Sequence, residues 1–286
     1  MQLDRGRVAI VTGASRGIGR AISLALAERG VRIVALARSH DELAGVAAAA
    51  QRHAPESTFA VCDVANPAEV AAAVRHTVDR FGRIDLVVNN AGFGSYAPFL
   101  AANLEEFHAL MQVNYFGSLY VTRAVLPTLL EQRSGHLVFI ASIAGRIASP
   151  RHTGYAATKF AIVGLAESLA YELEPYGIGI TTVNPGTVAT DFFERESFKD
   201  FPEGPRRMMI PAEAVARATV RAVERNRAEV FVPASLRFPY VLKALLPRLF
   251  RAGAMRYARR QGMIPVQPIP MAVPPPLPRA AEQRPM

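Results

Sequence analysis

The 286-residue chain carries one cysteine, Cys62, so an intrachain disulfide and a thiolate metal cluster are both excluded. The expectation for that lone thiol is a buried strand residue. The six histidines are scattered, with no HExxH or paired ligand set, so metal catalysis has no support and no metal ligand is expected. No apolar run reaches transmembrane length, and the first strand-like run, VAIV at 8–11, starts too early for a signal peptide to precede it. The cytoplasm is therefore the default compartment. Acid is scarce at one end: from Arg237 onward nine basic residues face a single acid, Glu282, whereas the first 236 residues hold 24 basic and 23 acidic side chains. The net charge of +9 thus describes a tail, and a nucleic-acid surface is not indicated.

What is abundant is alternation. Short apolar or β-branched runs (VAIV at 8–11, RIVAL at 32–36, FAVC at 59–62, LVV at 86–88, LVFIA at 137–141, ITTVN at 180–184, VFV at 230–232) are separated by helical stretches with proper start and stop residues, such as Pro67 and Gly82 around PAEVAAAVRHTVDRFG. This pattern predicts an α/β, Rossmann-type doubly wound sheet of about seven parallel strands with helices on both faces, filling residues 1–235. Residues 236–263 form a basic and apolar helical extension, and 264–286 are Pro-rich with no fixed fold expected.

The loop TGASRGIG, Thr12 to Gly19, joins the first strand to the first helix. Gly13, Gly17 and Gly19 let a ligand approach the backbone, and the helix start offers free N–H groups to a diphosphate. At the end of the second strand Ala37 stands where an acid would hold a ribose 2′-hydroxyl, and Arg38 follows. With Arg16 in the glycine loop, two cations could bracket a 2′-phosphate, which favours NADP(H) over NAD(H). The competing reading has Arg38 solvated and Asp41 in the acid's place.

In YAATK, residues 155–159, Tyr155 and Lys159 lie one helical turn apart and share a face. A neighbouring ammonium is expected to lower the phenol's pKa toward the working range of an acid or base. Three further polar clusters follow strand ends: NNAG at 89–92, Ser142, and PGTVAT at 185–190. All four would meet at the carboxyl edge of the sheet, where open parallel sheets bind ligands.

On these motifs the chain resembles the short-chain dehydrogenases/reductases over roughly residues 5–235. The resemblance implies a catalytic set of Asn114, Ser142, Tyr155 and Lys159, with Asn114 positioning a water that relays protons to Lys159. It implies a nicotinamide cofactor held by Gly13, Ser15, Arg16, Gly17, Ile18 and Gly19 at the diphosphate, Arg38 at the 2′-phosphate, and Asp63 and Val64 at the adenine. Asn89 and Ala91 would meet the adjoining ribose, Tyr155 and Lys159 the nicotinamide ribose, and Pro185, Gly186, Thr187, Val188 and Thr190 the nicotinamide carboxamide and phosphate. It also implies a substrate lid at residues 190–211 and a homodimer or homotetramer. The lid's Phe192, Phe193, Phe198, Phe201, Met208 and Met209 suggest an apolar substrate, unless they pack on the body to hold the lid closed.

The function expected is NADP(H)-dependent interconversion of a ketone or aldehyde with its alcohol on a small hydrophobic, lipid-, steroid- or retinoid-like molecule. A 3-oxoacyl-carrier-protein-type reductase and a non-catalytic dinucleotide-binding protein are the alternatives. His152, three residues before Tyr155, could line the substrate mouth, but a loop histidine facing solvent is the expected account. For residues 238–262, one reading is peripheral membrane contact, with Leu245, Leu246, Leu249 and Phe250 in the interface and Arg248, Arg251, Arg256, Arg259 and Arg260 at anionic headgroups. The other is a helix packed over the substrate mouth or against a second subunit.

Overall fold

The computed structural model describes residues 1–264. In chain order the elements are β1 (Val8–Thr12), α1 (Gly17–Ala27), β2 (Arg32–Ala37), α2 (His40–Gln51), β3 (Thr58–Val61), α3 (Pro67–Phe81) and β4 (Leu86–Asn89). Next come α4 (Leu104–Leu110), a π-helical turn (Met111–Phe116), α5 (Gly117–Gln132), β5 (Gly135–Ile140), α6 (Thr153–Leu173) and β6 (Ile178–Pro185). The chain continues through β7 (Val188–Ala189), α7 (Glu203–Arg207), β8 (Ile210–Pro211), α8 (Ala212–Glu224), β9 (Glu229–Val232), α9 (Arg237–Leu245) and α10 (Pro247–Arg260).

The main sheet has seven parallel strands in the order β3-β2-β1-β4-β5-β6-β9. Strand alternation splits its faces. Ala9, Val11, Ile33 and Ala35 pack beneath α1, α2 and α8, while Val8, Ile10, Val34 and Leu36 pack beneath α3, α5 and α6. Both faces are covered, which is why these strands read as unbroken apolar runs. Strand order reverses between β1 and β4, opening a crevice at their carboxyl ends.

Local chemistry sets the helix limits. Asn66 caps α3 by accepting from the Ala68 N–H, Pro67 occupies the first turn, and Gly82 closes it with φ of 69°. Cys62 lies one residue past β3 and is buried, its thiol pushed up to about 11 chiefly by burial. Pro247 interrupts the helical extension: α9 ends at Leu245 and Pro247 begins α10, where its missing N–H costs nothing. The expected Pro-rich tail lies outside the described residues, save for Ile264.

Candidate active site

The glycine loop is folded flat against the end of β4. Gly13 has φ of 60°, and a Cβ there would sit 2.8 Å from the Ala91 Cα. A Cβ on Gly19 would strike the Gly13 carbonyl oxygen, so only glycine lets α1 begin this close to its own loop. Two residues with no role foreseen from sequence brace this turn. Thr12 Oγ1 accepts from the N–H groups of Asn90 and Ala91, each at 3.0 Å, and Asn90 Nδ2 donates to the Thr12 and Gly13 carbonyls at 2.9 and 3.1 Å. A polar pair at adjacent strand ends was the available signal. α1 has neither a side-chain cap nor an acid in its first turn, so its leading N–H groups suit an anionic ligand. Ser15, Gly17 and Ile18 are half-buried in this loop, and Gly17 lies against Thr190.

Arg16 is exposed and forms an ion pair with Asp191 at 3.6 Å, linking the glycine loop to the residue after Thr190. Arg38 follows the end of β2 and is exposed; Asp41 sits in the first turn of α2, bonded at 3.1 Å to His40. Asp63 accepts from the Ala65 N–H at 3.0 Å, and Val64 packs against Gly117 at the start of α5. Asn89 turns its amide inward to Thr122 at 3.3 Å, leaving Asn90 and Ala91 on the loop side. Gly186 N–H bonds Val232 at 2.9 Å, Pro185 pairs in register with Val232, and the Thr187 carbonyl accepts from Ile210 at 3.0 Å. These bonds tie the PGTVAT turn to β9 and to the short β7–β8 pair, with Val188 buried.

Ser142 follows β5 and its Oγ accepts from the Ala144 N–H at 3.1 Å. Tyr155 and Lys159 stand in the first two turns of α6, both buried, with the ammonium 5.6 Å from the phenol ring centre. The expected lowering of the Tyr155 pKa does not occur in this arrangement. Burial pushes the phenol up to about 12, only partly opposed by a hydrogen bond from Ser142. The ammonium donates instead to the Ile140 carbonyl at 2.8 Å, and burial lowers its pKa to about 8. Asn114 lies in the π-helical turn, a local widening often found at functional sites. Its amide exchanges two 2.9 Å bonds with the Phe93 backbone and donates to Thr158 at 3.0 Å, so the side chain braces the loop after β4.

His152 is not a solvent-facing loop residue. It packs against the rings of Tyr96, Tyr155, Phe198 and Phe201, and burial pulls its pKa down to about 4. The cause is the 190–211 segment, whose Phe198 and Phe201 fold back over it some 46 residues later in sequence. Met208, by contrast, is exposed.

A sequence-family model described as short chain dehydrogenase matches residues 7–200. The 3-oxoacyl-[acyl-carrier-protein] reductase of Synechocystis sp. is 38% identical over 189 residues, covering 66% of this chain and 76% of the relative. Among solved structures, an alcohol dehydrogenase from Thermococcus sibiricus complexed with 5-hydroxy-NADP superposes with a TM-score of 0.70 at 29% identity, covering 79% of this chain and 95% of the other. A short chain dehydrogenase/reductase from Burkholderia phymatum in complex with NAD gives a TM-score of 0.77 at 24% identity, covering 95% of this chain and all of the other, a likeness of fold. The seven-stranded doubly wound sheet is the fold this chain shares with these solved dehydrogenases. This chain belongs to the short chain dehydrogenase family.

Proposed function

We propose that the protein is an NADP(H)-dependent oxidoreductase that reduces a ketone or aldehyde on a small hydrophobic molecule, or oxidises the matching alcohol. The observation that carries this is the convergence of Ser142, Tyr155 and Lys159, all buried at one strand edge. The bare start of α1 and the glycine loop suit a diphosphate, and the exposed Arg16 and Arg38 suit a 2′-phosphate better than a free hydroxyl. When bound, the nicotinamide supplies or takes up the hydride. Ser142 holds the carbonyl oxygen, and Tyr155 delivers a proton to it. Burial holds the phenol's pKa up at about 12, so the proton it would deliver is in place at neutral pH. Lys159 is the buried cation that offsets the phenolate left behind, and it would also grip the nicotinamide ribose. Residues 1–235 would constitute this catalytic unit.

Tyr155→Phe keeps the ring and removes only the proton donor. NADPH affinity should hold while turnover falls by several orders of magnitude. Retained turnover in that variant would remove Tyr155 from the mechanism. The carrier-protein reductase remains a second reading, favoured by the 38% identical relative of that name.

Two assembly proposals accompany this. The exposed Phe116, Phe160, Tyr171 and Tyr176 beside and along α5 and α6 support a homodimer or homotetramer through those helices. Among the described residues no helix is long and apolar enough to cross a membrane. The α9 side chains Phe238, Val241 and Leu245 nevertheless share its outward side, with Phe238 and Leu245 72% and 73% exposed. The inward side is anchored by Tyr240 stacked on Phe231 and by Lys243 bonded to the Arg146 carbonyl. Leu246 and Leu249 continue the apolar strip, Phe250 is half-buried and leaves it, and no acid occurs between Glu229 and Glu282. This combination supports peripheral contact with an anionic bilayer. Co-sedimentation with anionic vesicles should exceed that of a chain ending at Ser235; equal partitioning rules the contact out.

A further inference from the structure

We propose that the packed aromatic cluster over Tyr155 yields one ring's place to a ring-bearing ketone and holds that ketone's second, hydrogen-bond-accepting oxygen with Tyr96 and His152. The inference rests on the carbonyl-reductase reading and names the kind of substrate that site accepts. The cluster joins residues 190–211 to the loop after β4 and to the start of α6. Phe192, Phe193, Phe198 and Phe201 close onto Tyr96 and His152, with neighbouring ring centres 5.0 to 6.2 Å apart. Tyr155 forms part of the same wall, 5.7 Å from His152 and 5.5 Å from Phe192. Such walls favour flat, apolar rings.

Aromatic packing of this kind needs no polar atoms to hold together. Buried tyrosine and histidine ordinarily find hydrogen-bond partners. Here they do not. Among the described residues seven buried side-chain polar atoms lack a partner, and four of them belong to Tyr96, Arg151, His152 and the lid's Ser197. Arg151 lies over the Tyr96 ring at 5.7 Å but also borders a separate cavity of about 10 Å³, so less weight rests on it. Tyr96 is only 4% exposed. Its hydroxyl is a donor with nothing to donate to, and it stands one ring away from His152, which in turn touches the proton donor Tyr155.

Both groups are uncharged in this setting. Burial keeps the His152 imidazole neutral and pushes the Tyr96 phenol upward. A neutral carbonyl or ether oxygen therefore suits them better than a carboxylate. The ring most easily exchanged for a substrate ring is Phe192, which lies against Gly94 and Tyr155 and is only half-buried.

The test compares para-substituted acetophenones of similar size: 1,4-diacetylbenzene, 4-acetylbenzoate and 4-ethylacetophenone, the last lacking the second oxygen. The ratio of kcat/KM for the diacetyl over the ethyl compound should fall about tenfold from wild type to Tyr96→Phe, a comparison in which intrinsic ketone reactivity cancels. A ratio unchanged within about twofold, or a wild-type preference for the carboxylate, overturns the proposal. Ligand-induced melting shifts of the protein loaded with oxidised NADP+, which cannot reduce a ketone, read the same discrimination without turnover. A larger shift with 1,4-diacetylbenzene than with 4-ethylacetophenone is expected, and equal shifts overturn the proposal. Selective binding with no turnover would count against the reductase reading and leave this one standing.

Discussion

Replacing Lys159 by methionine should abolish turnover and yet make the cofactor-free protein more stable at pH 7. Lys159 is 5% exposed, and burial lowers its pKa from 10.5 to about 8. Each pKa unit corresponds to about 1.4 kcal/mol, so holding the charged form inside costs about 3 kcal/mol at neutral pH. The bond to the Ile140 carbonyl returns about 1 kcal/mol. Methionine, similar in length and volume, drops the charge and keeps the packing, leaving a net gain of about 2 kcal/mol, or roughly 4–8 °C in Tm. The pH dependence has a definite sign. Between about 8 and 10.5 the unfolded chain binds the Lys159 proton and the folded one does not, so wild-type stability from this group rises with pH across that window. The advantage of the variant should therefore be largest below pH 8 and close as pH approaches 10.5. Urea unfolding of both proteins at pH 7 and 9.5 measures the gap, and groups common to both cancel. A variant less stable than wild type at pH 7, or a gap that does not narrow with pH, would refute the reasoning.

Two further outcomes are expected. Arg38→Asp should invert the preference for NADPH over NADH in kcat/KM; an unmoved ratio means Arg38 does not read the 2′-phosphate. His136 is 1% exposed, bonded to Thr181 at 2.8 Å and held neutral with a pKa near 4. The unfolded chain takes up that proton between pH 6.5 and 4, so stability falls with acidification there, and His136→Gln should flatten the fall in a pH series of melts.

The strands and the motif loops were legible because each is specified locally. Apolar runs of the right length, Pro67 at a helix start and Gly82 at its end all act within a few residues. The features that escaped depend on segments distant in sequence. Nothing local marks the π turn at Met111–Phe116, where Asn114 is drawn to the Phe93 backbone. His152 looks like a solvent-facing loop residue because the rings that cover it, Phe198 and Phe201, come from a segment far along the chain. The Lys159 ammonium sits within one turn of Tyr155, but Ile140 supplies its acceptor, and burial, opposed only in part by Ser142, pushes the phenol's pKa up. Spacing identifies which groups share a site; the water excluded around them sets their proton affinities.

The most direct test of the central claim is NADPH consumption by the purified chain against carbonyl compounds graded from small ketones through fatty aldehydes to steroid and retinoid ketones, with Tyr155→Phe as the blank. Tyr155-dependent oxidation of NADPH that rises with substrate apolarity is the predicted result. Cofactor that binds but is never oxidised by any of them, or oxidation that persists in Tyr155→Phe, would contradict it.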